Sequence, residues 1–208
     1  MYGTSPAVKQ ERAYYERYPS FVKKIKRTAE ANGFRGEYRA NEIGYATSET
    51  MGGGHARGYA PAVAAKYEAR EILRHLGLDI GVGVPGDNYV IRRLATLMAG
   101  AEPVDLDVKV RSKAKDVVHY SFSTPDGGHL VAFWTNGKAA EVDRGRRATA
   151  TLSGIASEQA TGIDVLHGYE QPLNVEVTDE GVVVRDVLIK DYPTIIRVGG
   201  TEPKPVRG

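Results

Sequence analysis

The stretch "YRANEIGYAT", residues 38 to 47, sets one carboxylate, Glu42, where a short apolar segment gives way to a loop rich in Gly, Ser and Thr. A carboxylate there is either a catalytic group or one more solvated charge at a strand end, and position alone leaves both open. Tyr45, three residues on, either contacts a substrate beside Glu42 or packs at the strand end. His55 follows three glycines and is either a hydrogen-bond donor to a substrate or a polar loop residue. His75, His119, His129 and His167 show no paired spacing such as H-E-x-x-H, so no metal site is expected, and no cofactor is expected either. "GVGVPG" at 81 to 86 matches G-x-G-x-x-G ahead of a helix, the pattern of a dinucleotide loop. Pro85 lacks an N–H that would face a phosphate and Asp87 would repel the pyrophosphate, so the stretch reads as a strand-to-helix loop. No G-x-S-x-G and no Walker-type loop is present.

Composition narrows the partners. Lys and Arg total 28 against 26 acidic residues, and no long run of like charges occurs, so neither nucleic acid nor an anionic membrane is an expected partner. The first residues, "MYGTSPAVKQERAYYERY", lack the apolar region of a signal peptide, and no segment approaches the roughly 18 apolar residues of a membrane span, so the chain reads as soluble. The absence of cysteine excludes disulfides and thiol catalysis but leaves the compartment undetermined.

The elements that must position Glu42 change period part-way along the chain. Phe21, Val22, Ile25 and Ala29 recur at helical spacing before a stop at Asn32-Gly33, and a separate upstream helix is expected over about residues 6 to 17, ahead of Pro19. The short strand-like "GEYRANEIGY" leads through "ATSETMGGGHARG" into a long helix from about Tyr59 to Leu76, with Ala65, Ala69, Ile72, Leu73 and Leu76 inward and Gly77 as its C-cap. "LDIGVGV" is a second short strand. A helix with Val90, Ile91, Leu94, Leu97 and Met98 inward follows it, capped by Asn88 and ended by Gly100. From about Val104 the period becomes two: "LNVEVT" alternates, "PDGG" separates "VVHYSFS" from "HLVAFWT", and "DEG" precedes "VVVRDVLI". Six or seven such strands predict an antiparallel β-sandwich, with Trp134 in its core or at a domain interface. An α/β part with two strands is too small to cover a parallel sheet on both faces.

"AKYEAREILRHLGLDIGVGV", "NYVIRRLATLMAGAEP", "GIDVLHGYEQPLNVEV" and "VLIKDYPTIIRV", in this order and at these distances, resemble the end of a retaining clan A glycoside hydrolase. The resemblance is to family 39 and its relatives, which join a (β/α)8 barrel to a C-terminal β-sandwich. It implies an α+β chain in three parts: residues 1–103 as the last strands and helices of the barrel, 104–200 as the sandwich, and 201–208 as a tail. "GEYRANEIGY" would be barrel strand seven and "LDIGVGV" strand eight. Glu42 then matches the nucleophile at the end of strand seven, with Tyr45 and His55 as candidate substrate-binding residues. Retaining hydrolysis of an O-glycosidic bond needs a second carboxylate about 5 to 5.5 Å away. The family takes it from an Asn-Glu pair at strand four, which this chain, beginning after strand six, would not contain. Glu37 would lie about 16 Å from Glu42 along an extended strand and face the other way, while Glu49 sits in the following loop. The isolated chain is therefore expected to be inactive. Two rivals remain: a non-catalytic carbohydrate-binding or protein-interaction module, and one half of a split glycosidase. The expected partners are a carbohydrate and either a second copy or a chain supplying the missing strands.

Overall fold

The computed structural model describes residues 9–47, 58–84, 86 and 88–200. Three helices, α1 (Lys9–Ala31), α2 (Pro61–Gly77) and α3 (Tyr89–Leu97), alternate with two short strands, β1 (Arg39–Ala40) and β2 (Gly81–Val82), which pair in parallel. Ten further strands follow: β3 (Glu102–Val104), β4 (Val108–Ser112), β5 (Val117–Ser123), β6 (His129–Thr135), β7 (Arg146–Ser153), β8 (Ala160–Asp164), β9 (Glu170–Pro172), β10 (Asn174–Thr178), β11 (Gly181–Ile189) and β12 (Thr194–Val198). They form two antiparallel sheets, one ordered β10-β11-β7-β4 and the other β3-β5-β6-β12-β8-β9. Helix and antiparallel sheet are thus mixed, and the described residues contain no closed barrel.

The six-stranded sheet is the middle layer. Leu130, Ala132 and Trp134 of β6 pack with Ala69, Leu73, Val90 and Leu94 of the helices, while Val131 and Phe133 point the other way, against Ala150, Leu152, Val182 and Val184 of the four-stranded sheet. β12 divides likewise, Ile195 toward the helices and Ile196 and Val198 toward the second sheet. A strand buried on both faces reads as a continuous apolar run, as "HLVAFWT" does. Trp134 is wholly buried in the layer beneath the helices and stacks on Tyr120. Pro103 lies inside β3, at the edge of this sheet, where a missing N–H costs no ladder bond.

Several expectations are corrected in detail. Pro19 does not separate two helices; α1 runs unbroken through it. The carbonyl that Pro19 leaves without an intrahelical donor, that of Tyr15, instead accepts from Arg74 Nη1 of α2 at 3.5 Å. The inward stripe of α1 is Tyr15, Tyr18 and Val22, and the expected Phe21 and Ile25 are exposed beside Tyr14. Gly77 is the last residue of α2 rather than its left-handed cap. That conformation falls to Asp79 (φ 55), whose N–H bonds Leu76 O while Ile80 N–H bonds His75 O, the double bond pattern of a Schellman close. Gly77 is needed for another reason: a Cβ there would sit 2.1 Å from the Tyr120 ring. Asn88 caps α3 as expected, its Oδ1 accepting from the N–H groups of Val90 and Ile91. Strands β5 and β6 match the sequence reading residue for residue, but β1 and β2 are two residues each, and ten strands follow α3 where six or seven were expected.

Candidate functional site

β1, α2 and β2 form one βαβ unit, in register Arg39 to Gly81 and Ala40 to Val82. Tyr38 and Ala40 pack against Tyr18, Val22, Leu78 and Ile80, which ties the ladder to α1 and to the end of α2. Arg39 faces the other way into solvent and pairs with Glu37 at 3.1 Å. Pairing continues past β1, where Ile43 N–H donates to Gly83 O at 3.1 Å.

Glu42 stands two residues beyond β1, at the carboxyl end of the ladder, between exposed Asn41 and fully buried Ile43. Its side chain is exposed, and neither a hydrogen bond nor an ion pair ties it to another described residue. In open α/β sheets ligands gather outside this end of the strands. An open cavity of about 1110 Å³ covers the exposed face of the ladder, lined by Glu37, Arg39, Asn41, Gly81 and Gly83 among others; Glu42 is not among its lining residues. Glu37 is held by Arg39, and Glu68 of α2 accepts from the Asn88 amide at 2.6 Å.

Tyr45 is 6% exposed. Its ring stacks on Tyr67 and meets the edge of Tyr59, in a cluster closed by Ala64 and Ala139. Burial, with the Glu71 carboxylate nearby, raises its phenol well above the ordinary range, so it stays protonated. His55 and Glu49 lie outside the described residues.

The sequence reading did not find the polar assembly along α2. Lys66, Arg70 and Arg74 recur every four residues, a spacing that reads as a solvated stripe, yet all three are buried. Lys66 pairs with Asp191 at 2.8 Å and donates to Ala140 O at 2.6 Å. Arg70 donates to the carbonyls of Asp191 and Gly137. Arg74 pairs with Glu71 at 2.9 Å, reaches Asn136 Oδ1 at 2.7 Å and lies over the Tyr15 ring. His75 Nδ1 lies 2.7 Å from the Glu71 carbonyl, which requires a proton on that nitrogen, so Nε2 accepts from the Tyr18 hydroxyl at 2.7 Å. Burial outweighs the backbone bond and lowers His75 to about 4, and burial first, then Glu71, raises Tyr18 to about 12. The assembly fastens α2 to α1 and to the β6–β7 connection. Its groups satisfy one another in the interior, apart from Glu71 Oε2, which has no hydrogen-bond partner among the described residues.

Among the described residues, no three His, Asp or Glu side chains gather as a metal would require. No described helix is long and apolar enough to cross a membrane. Neither a protein-family model nor a curated protein matches the chain. Among solved structures it is similar to the catalytic domain of GH30 xylanase C from Talaromyces cellulolyticus, a glycoside hydrolase, at 13% identity and a TM-score of 0.47. That likeness takes in 81% of this chain and 42% of the other, so the chain spans less than half the length of the domain it resembles.

Proposed function

We propose that this chain is a glycoside-hydrolase-like unit in which Glu42 holds the nucleophile position of a retaining site completed by barrel strands outside this sequence. The observation that carries the reading is the βαβ unit itself: two parallel strands with a carboxylate, unpaired among the described residues, at their carboxyl end. Parallel ladders are built into larger sheets covered on both faces, and this one leaves Arg39 and its neighbours open to solvent. The exposed stripe of Tyr14, Phe21 and Ile25 on α1 supports the same reading, since a neighbouring barrel helix would pack there. On this proposal residues 1–103 are the barrel's last strands and helices, 104–200 its accessory β-sandwich, and 201–208 a tail.

In the completed site the Glu42 carboxylate attacks the anomeric carbon. The glycosidic C–O bond breaks, the leaving oxygen takes a proton from the second carboxylic acid, and a glycosyl ester remains on Glu42. Water deprotonated by that second group then cleaves the ester, returning sugar and free carboxylate. Alone, the chain offers one of the two groups and should leave nitrophenyl glycosides intact; turnover by the isolated chain that Glu42→Gln abolishes would refute the missing acid/base. Reconstitution tests the rest. Co-expressed with the sequence flanking it, the chain should acquire a covalent sugar on Glu42 from a fluorinated dinitrophenyl glycoside, whose leaving group departs without protonation. Label on another residue, or none, removes Glu42 from the role.

A further inference from the structure

A second constellation lies on the antiparallel half, at the turn between β8 and β9. Asp164 organises it. Its Oδ1 accepts from the backbone N–H groups of Leu166 and His167 at 3.0 and 2.9 Å, and its Oδ2 accepts from Lys190 Nζ and the Tyr192 hydroxyl, both at 2.8 Å. The backbone closes the turn, with Gly168 N–H bonding Asp164 O and Asp164 N–H bonding Tyr169 O. Gly168 has φ 78, and a Cβ there would sit 2.3 Å from the Arg93 guanidinium, whose Nη1 holds Val165 O at 2.6 Å. The turn is therefore fixed from both sides.

This rigid turn presents Tyr169, 72% exposed. One ring face is stacked on His167, with centroids 5.9 Å apart and planes 6° from parallel. Beside it opens a cavity of about 180 Å³ whose walls include Tyr169, Asp164, Gln171, Lys190, Leu173 and Leu188. Its volume is below the roughly 300 to 1,000 Å³ of sites for drug-sized ligands, and suits one ring. The Gln171 amide makes no hydrogen bond to a described residue and so has donors and an acceptor to offer. Asp164 and Lys190 cancel in charge, which disfavours an anion, and an apolar ligand would strip water from both without replacing its hydrogen bonds. The ligand that fits has one apolar C–H face for an aromatic ring and a neutral rim of hydroxyls that both donate and accept.

We propose that the cavity beside Tyr169 binds one pyranose ring of a carbohydrate, Tyr169 stacking on its C–H face and Gln171 and Lys190 meeting its hydroxyls. The site does not include Glu42, shares no lining residue with the cavity over the β1–β2 ladder, and stands whether or not Glu42 is a nucleophile. Asp164 acts as a positioning residue. Its partial burial opposes ionisation, but bonds from Lys190, the His167 backbone and Tyr192 prevail and hold it at about 2, so it keeps the turn closed throughout the neutral range.

The test is a ¹H–¹⁵N NMR titration of the full chain with cellohexaose, xylohexaose and mannohexaose. Saturable shifts of the amides of residues 168–171 and 188–190 with at least one of them, with a Kd of about 1 mM or tighter, are expected. Tyr169→Ala should weaken that binding at least about tenfold without disturbing the rest of the spectrum, Tyr169→Phe should largely retain it, and Glu42→Gln should leave it unchanged. No shift in those amides with any of the three, or binding that survives Tyr169→Ala, overturns the proposal. Shifts confined to the neighbours of Glu42 would overturn it while leaving the nucleophile reading standing.

Discussion

Arg74 ties three separate groups into the buried polar assembly. It neutralises Glu71, takes up Asn136 and supplies the donor that Pro19 removes from Tyr15. Removing one member of a buried ion pair strands the other in low dielectric, so Arg74→Leu should cost about 3 to 5 kcal/mol, read from urea unfolding at neutral pH. His75 makes a pH prediction whose sign is fixed. Its folded-state value, about 4, lies below the ordinary 6.5. Between those values the unfolded chain takes up a proton that the folded one refuses, so stability held above the upper value is lost as pH falls through the window. The advantage of the wild type over His75→Gln should therefore shrink by about 3 kcal/mol from about pH 7 to about pH 4, and an NMR titration of the ring should show its midpoint near the lower value. Little of this was legible in the sequence. Charges at every fourth position of a helix look alike whether they face water or carbonyls of a distant segment, and Asp191, which answers Lys66, lies 125 residues away. Glu42 stood out only through a family pattern; nothing local distinguishes it from an exposed strand-end charge.

Elements with local punctuation were legible, and those shaped by distant contacts were not. β5 and β6 were bounded correctly because "PDGG" closes a tight turn between them, whose Thr124 and Gly128 bond across it. α1 was misread at Pro19 because the residue that rescues the helix belongs to α2. Gly77 gives the sharpest test. In an exposed helix Ala would be favoured over Gly by about 1 kcal/mol, but here the added methyl meets Tyr120. Gly77→Ala should destabilise by about 1 to 3 kcal/mol in the wild type and become neutral or stabilising in a Tyr120→Ala background. Equal costs in the two backgrounds, measured in a double-mutant cycle, would contradict the steric account.

At the scale of the whole molecule, the six-stranded sheet is shared property. The helices precede β3 and the antiparallel strands run from β3 on, but the two groups bury their apolar residues against each other: Phe122, Leu130, Trp134 and Ile195 are covered by α2 and α3. Residues 104–200 expressed alone should therefore expose a broad apolar face and aggregate, with Trp134 emission shifted to the red of the full chain. A soluble, well-dispersed fragment with buried tryptophan would show that the four-stranded and six-stranded sheets suffice by themselves. The shared layer could not be read from periodicity, which reports that a strand is apolar on both sides but not what lies on each.

The bond from Arg74 to the carbonyl freed by Pro19 also bears on how this sequence changes over time. A proline at 19 without a donor at 74 leaves a buried carbonyl unpaired, and loss of Arg74 alone also strands Glu71. Substitutions at the two positions are therefore not independent events. Among divergent copies of this chain, an ordinary helix former at 19 is expected wherever 74 has lost its guanidinium, and proline at 19 should persist only beside a side chain that can still donate.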